Sequence, residues 1–307
     1  MRRYRQPHRD ERGSIAILAL WGVALVFVLL SAASIITRSE VAIARNQLGT
    51  ARASTAAEAG TQLGLARLLR RRGEGITIFD GTPEAWWDGT TRIEIAIVDE
   101  AGKIDVNLAP LPLLTGLFAA VGRPDDEALL LACNVVDRRG EIGPGCPEPA
   151  ESSGRAGRGR RFAAPEELAQ LPGFDDALYE AIADYVTVAT GASAIDPLVA
   201  RRPVLLAIPG ATASLVDAFL ANRARWSDLA AAGAGINLPP AIPFVTASPN
   251  RDFTIEATAT TADAARFRAD LQVRLTDMPH HPYDVIAWRM PSAGQRAGGI
   301  APPQRVP

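Results

Sequence analysis

The chain of 307 residues has only two cysteines, Cys133 and Cys146, and only three histidines, His8, His280 and His281. Two thiols without neighbouring histidines do not make a zinc site, which takes four ligands in its structural form. No Gly-x-Ser-x-Gly or His-Glu-x-x-His pattern occurs, so the usual nucleophile and metal-hydrolase frames are missing. Paired acids such as Asp125-Asp126 read as helix-start residues rather than as an acid/base couple. The expectation is a protein that is not an enzyme. An excess of one charge is also missing: 32 basic side chains face 34 acidic ones, which argues against a dedicated nucleic-acid binder. Two local absences matter most. No residue from Ser14 to Ile36 is charged, and none from Arg38 to Arg72 is proline.

The uncharged run is long enough to span a bilayer as a helix. Before it stands a short leader with Arg2, Arg3, Arg5, Arg9 and Arg12 against Asp10 and Glu11, ending in Gly13. Its basic balance holds the leader on the cytoplasmic side and sends the remainder across the membrane. An ordinary signal peptide, cut near Ala32-Ala33-Ser34, and a plain signal anchor are competing readings. The apolar run exceeds the length of a secretory core, and helical character continues beyond it. Val41, Ala44, Leu48, Ala51, Ala59, Leu63, Ala66 and Leu69 recur at helical spacing and predict the buried stripe of one long helix. Gly49, Gly60 and Gly64 weaken that helix locally, by about 1 kcal/mol each relative to alanine. Gly73 and Gly75 end it, after Arg70, Arg71 and Arg72.

Strands are expected at Ile76 to Asp80 and Arg92 to Val98, with Trp86-Trp87 in the loop between them as aromatic cover for the sheet edge. A helical section then runs from Asn107 to about Leu229. Its helices are expected at Leu113 to Val121, Asp126 to Arg138, Pro165 to Leu171, Asp175 to Tyr185, Pro203 to Leu206 and Thr212 to Arg223. Leu171-Pro172-Gly173-Phe174 and Ile208-Pro209-Gly210-Ala211 form tight turns between helices and resemble the helix-hairpin-helix motif. DNA-binding hairpins offer backbone N–H groups to phosphate at a helix N-terminus. Here Asp175 and Asp176 occupy that place and repel an anion, so capping and packing are the expectation. Arg155, Arg158, Arg160 and Arg161 fall in the Gly/Ser-rich stretch Glu151 to Arg161, read as a mobile loop. The glycine-rich segment between Cys133 and Cys146 could close into a disulfide outside the cytoplasm, or the thiols could stay unpaired.

After a Gly/Pro-rich link from Ala232 to Pro243, strand patterns return at Phe244 to Ala247, Phe253 to Thr260, Phe267 to Leu275 and Tyr283 to Met290. Because strands flank the helical section, the simplest topology inserts it into one α/β unit.

Taken in order, Arg12-Gly13-Ser14 with its apolar run, Asp99-Glu100-Ala101-Gly102-Lys103-Ile104-Asp105-Val106-Asn107, Leu171-Pro172-Gly173, Tyr185-Val186-Thr187-Val188, Ile208-Pro209-Gly210 and Trp288-Arg289 resemble the K-type minor pseudopilins of type II secretion systems. The resemblance implies an α+β fold: a pilin-like N-terminal transmembrane helix on an antiparallel sheet, with a large inserted all-α domain of helix-hairpin-helix or SAM-like type. It divides the chain into a cleaved leader (1–13), a transmembrane helix (14–37), the first part of the α/β domain (38–104), the inserted domain (105–230), completing strands (231–290) and a disordered tail (291–307). Family resemblance further implies cleavage by the prepilin peptidase between Gly13 and Ser14, with N-methylation of Ser14. It implies a single-pass protein of the bacterial inner membrane, its globular part in the periplasm, assembled with I-type and J-type minor pseudopilins and the major pseudopilin at the pseudopilus tip. The fifth mature residue is Leu18, where most pilins carry the Glu that meets a neighbouring amino terminus; its absence is a K-type trait and suits a subunit with nothing above it. Calcium is bound by some members. Asp137, Glu141, Glu148 and Glu151 lie near the cysteine loop, but their spacing matches no calcium loop. The alternatives are a membrane-anchored extracytoplasmic DNA receptor built on the hairpin repeats, or a minor pilin of a related type IV pilus.

Overall fold

The computed structural model describes residues 12–71, 78–147, 159–223, 243–249 and 251–290. Residues 1–11 of the leader, Gly73 and Gly75, most of the 151–161 loop, most of the link from Ala232 to Pro243 and the tail 291–307 lie outside the described residues.

The chain begins with one continuous helix, α1 (Arg12–Arg71). Its 60 residues make it about 90 Å long. A hairpin follows, β1 (Glu84–Asp88) and β2 (Thr91–Asp99), and then a 3-10 turn at Glu100–Gly102. The helical section carries β3 (Ile104–Asp105), α2 (Leu111–Ala120), α3 (Asp125–Arg138), a 3-10 helix at Pro165–Gln170, α4 (Asp176–Ile182), β4 (Val186–Thr187), α5 (Arg202–Leu206) and α6 (Ala213–Arg223). Three longer strands close the order: β5 (Asp252–Thr260), β6 (Arg266–Met278) and β7 (His281–Arg289). The large sheet is antiparallel, in the order β1-β2-β5-β6-β7. β2 and β5 are therefore neighbours in space, Asp99 opposite Phe253, although the helical section separates them in sequence.

α1 lies across β2, β5 and β6. Its buried face is not the expected stripe. Ala53, Ala56, Ala57, Gly60, Thr61, Gly64, Leu65 and Leu68 point at the sheet, while Leu48, Ala51, Ala59 and Ala66 are exposed and Leu63 and Leu69 sit at the margins. The reason is the glycines. A Cβ at Gly60 would stand 2.8 Å from Ile93 Cγ2, and one at Gly64 would stand 2.5 Å from Ile255 Cγ2. Gly60 and Gly64 thus mark where the helix axis comes closest to the sheet, within an unbroken helix, rather than points of weakness. A second core fills the helical section, where Leu113, Leu114, Leu117, Phe118, Leu131, Leu168, Leu178 and Ile182 are fully buried.

Four local expectations change. Trp86 and Trp87 are in a strand, β1, not a loop. Of the expected strand at Ile76 to Asp80, residues 76–77 lie outside the described residues, and Asp80 makes only an isolated bridge to Val98. The expected strand at Phe244 to Ala247 shrinks to one parallel bridge, Val245 with Ile195. Pro165 to Leu171 winds as a 3-10 helix rather than an α-helix.

Candidate assembly site

The apolar segment of α1 stands clear of both cores. Gly13 and Ser14 fall in its first turn. Leu18 is 71% exposed, and Trp21, Val23, Leu25, Phe27 and Leu30 are exposed with it. So large an apolar surface calls for a cover of lipid or of other helices. Among the described residues no helix is long and apolar enough to cross a membrane.

The run from Asp99 to Asn107 joins the sheet to the helical section, and its three acids and Asn107 each hold something distant. Asp99 caps the 3-10 turn by accepting from the Ala101 N–H at 2.9 Å, and its other oxygen accepts from the Ser248 hydroxyl at 2.6 Å. Glu100 accepts from Lys103, from Thr187 on β4 and from Thr254 on β5. Asp105 receives the N–H groups of Asn107 and Gly191 and the hydroxyl of Thr190. Asn107 makes a two-way pair with the backbone of Phe162, donating to its carbonyl at 3.0 Å and accepting from its N–H at 2.7 Å. Between these anchors β3 pairs in parallel with β4, so Tyr185 to Val188 and the Asp99 run are two sides of one joint.

Burial sets the electrostatics here. It raises the Asp99 carboxyl to about 6, against the bonds from Ser248 and Ala101, with Asp196 and Glu100 adding to the rise. Burial likewise raises Asp196, which accepts from the N–H groups of Leu198 and Ser248. For Glu100 burial works in the same direction, but Lys103 and the hydroxyls of Thr187 and Thr254 outweigh it and hold the carboxyl below its ordinary value. Thr187, Asp196, Ser248 and Thr254 were not singled out from sequence individually. Only the landmark Tyr185-Val186-Thr187-Val188 pointed to one of them.

At the hairpin turns, Gly173 and Gly210 take left-handed backbone angles, and the Phe174 and Ala211 N–H groups bond back to the carbonyls of Leu171 and Ile208. Asp175 then caps α4, accepting from the Leu178 N–H at 2.6 Å, and Arg123 lies 3.5 Å from its carboxylate. Thr212 accepts from the Leu215 N–H at 3.4 Å. The place a phosphate would take at α4 is filled by a side chain of the protein. Arg160 and Arg161 are exposed; Arg155 and Arg158 lie outside the described residues.

Cys133 on α3 and Cys146 form a disulfide with their Cα atoms 5.6 Å apart. Within the loop it closes, Arg139 is nearly buried and donates to the carbonyls of Val106 and Ala109. Glu141 is occupied by Arg139 at 3.0 Å, while Glu148 and Glu151 lie outside the described residues. Among the described residues no three His, Cys, Asp or Glu side chains gather as metal ligands. Asp125 and Asp126 lie in the first turn of α3, where their charge suits the helix dipole without a side-chain cap bond. His281 contacts Asp284 at 2.6 Å at the exposed start of β7.

Both edges of the sheet carry exposed aromatic groups. Trp86 and Trp87 on β1 are 41% and 61% exposed, and Trp288 on β7 is 42% exposed beside Val285 and Ile286. Open edges with apolar side chains are surfaces on which another chain can pair. The sequence signal for β1 was the Asp88-Gly89 step, a hairpin turn that fixes Asp88 opposite Thr91.

The architecture is α+β: one long helix on an antiparallel sheet, with helices gathered between two of its adjacent strands. The same fold occurs in a chain of the crystal structure of the GspK-GspI-GspJ complex from the enterotoxigenic Escherichia coli Type 2 Secretion System. The likeness has a TM-score of 0.53 and covers 83% of this chain and 98% of that one, at 15% identity. No protein-family model matches the chain, and no curated protein matches its sequence.

Proposed function

We propose that this chain is a K-type minor pseudopilin of a type II secretion system, a structural subunit that acts by binding partners and not by catalysis. The observation that carries the reading is the extent of the shared fold. The likeness takes in 98% of a chain from a GspK-GspI-GspJ complex and 83% of this one, the extent of a shared fold rather than of a shared fragment. In this reading the exposed apolar segment of α1 holds the protein in the inner membrane until assembly, with the globular part in the periplasm. The prepilin peptidase cuts between Gly13 and Ser14, and Ser14 is N-methylated. I-type and J-type minor pseudopilins are the first partners, the major pseudopilin follows below, and Leu18 fits a place at the tip, where the subunit caps or initiates the pseudopilus. Asp175 at the second hairpin supports packing over DNA contact.

The mature N-terminus tests this most directly. Mass spectrometry of the protein from a host carrying a prepilin peptidase should find Ser14 first, with a methyl group, and a Gly13→Leu variant should keep its leader. An intact leader on the parent, or a cut near Ala33, would remove the pseudopilin reading. Tight DNA binding that falls steeply with salt would favour the receptor alternative instead.

A further inference from the structure

The two apolar cores share no residue. Between them lies a layer of charged and hydroxyl groups with two unlike ends. At one end the bonds are short, buried or partly buried, and cross from the sheet to the helical section. Glu100 joins Thr254 on β5 to Thr187 on β4, and Ser248 joins Asp99 to Asp196. Arg274 of β6 donates to the Ala189 carbonyl at 2.9 Å, and Arg223 of α6 holds Asp80 at 2.8 Å.

From Glu100, Thr187 and Thr254, which line its inner part, a cleft of about 40 Å³ runs outward, with Glu256, Arg268 and Asp270 on the sheet wall and Tyr179 and Asp184 on the helical wall. Space of this size suits a water or two. Each wall carries ion pairs of its own. Arg268 bridges Glu256 at 3.1 Å and Asp270 at 2.7 Å, all on β5 and β6, while Asp184 faces Arg201 at 3.7 Å. Asp184 also attracts Arg268 across the gap. One exposed ion pair spans the mouth: Arg289 of β7 and Glu166 of the 3-10 helix, 3.6 Å apart, with side chains 42% and 46% exposed.

We propose that this layer is a hinge, on which the helical section swings as a body against the sheet, pivoting at Glu100 and Ser248 and latched by Arg289 and Glu166. Opening at the latch side separates no apolar core. It leaves Arg268 and its two carboxylates paired, and it admits water to a cleft already polar. At the pivot, by contrast, the same motion would strip Glu100 and Asp99 of partners in a buried place, which holds that end shut. The latch is an exposed ion pair, so salt loosens it.

The test is a distance measurement between spin labels in the full chain in detergent micelles. Labels at Glu180→Cys and His280→Cys, both exposed, report the helical section against the sheet. Labels at Asp88→Cys and His280→Cys report the sheet alone. The first pair should show a second, longer distance. Its population should grow about two- to fivefold in the Arg289→Glu variant, as suits loss of one exposed ion pair. It should also grow in about 1 M salt, where the screening length is about 3 Å. Adding Glu166→Arg to Arg289→Glu should restore the parent distribution, and the sheet pair should stay fixed throughout. A single distance unmoved by salt and by Arg289→Glu overturns the hinge, as does movement of the sheet pair in step with the first. This outcome is independent of where the N-terminus is cut.

Discussion

The sheet with α1 and the helical section bury their cores by opposite means. On the sheet, closeness does the work: Ala53, Ala57, Gly60 and Gly64 present almost no side chain, and the helix drops onto Ile93, Ile95, Ile255 and Ala257. In the helical section, short helices of 5 to 14 residues cannot stabilise themselves, and large side chains from many of them fill one centre. Phe118 and Phe174 meet edge to face there, with ring centres 5.5 Å apart. A close-approach interface tolerates nothing larger, whereas a filled centre tolerates nothing smaller.

That contrast predicts opposite sensitivities. The largest effect is expected from Phe118→Ala, which empties the helical centre and should cost about 3–5 kcal/mol. Hydrogen exchange should quicken in α2, α3 and α4 while α1 and β5 keep their protection. Equal loss in both regions would mean that the cores are not separate. Next comes Gly64→Val, which adds atoms where even a Cβ meets Ile255 at 2.5 Å. It should cost about 1–3 kcal/mol, seen as earlier thermal loosening of α1 from the sheet, with the helical section spared. A neutral result would show that the helix can lift without penalty.

The smallest effect sharpens the line between the regions instead of breaking either. With its carboxyl raised to about 6, Asp99 takes up a proton more readily in the folded protein than in the unfolded chain. Its contribution to stability is therefore full in acid and is lost as pH rises through about 6. Asp99→Asn removes the titration. The stability of the parent relative to that variant should improve by about 2 kcal/mol on going from about pH 7.5 to about pH 4. Denaturant unfolding of both proteins across that range checks it; a flat difference would mean that Asp99 titrates normally.

How far the fold could be read from sequence follows the same division. Strands β5 and β6 alternate plainly, and the hairpin turns announce themselves through Pro-Gly steps, so both were legible. Asp175 was legible as a helix cap because capping is local. The buried face of α1 was not, since periodicity weighs Leu63 and Leu69 above glycine, while the sheet selects the residues that let it come nearest. β1 was missed because Pro83 and the Asp88-Gly89 step frame so short a strand that it reads as loop. The joint was visible only as a landmark. Its bonds link residues as far apart as Glu100 and Thr254, 154 positions along the chain, and no local pattern encodes such a partner.

The adjacency of β2 and β5 also sets an order of events. As the chain is synthesised, β2 is complete long before β5 exists, and its free edge must wait while the whole helical section is added. Contacts within that section are nearer in sequence and can form first. Until β5 arrives, β2 offers an unpaired edge and α1 has half a sheet to rest on. For that interval the growing protein is a finished head attached to an unfinished base, and the base is where a chaperone or a partner strand would find it.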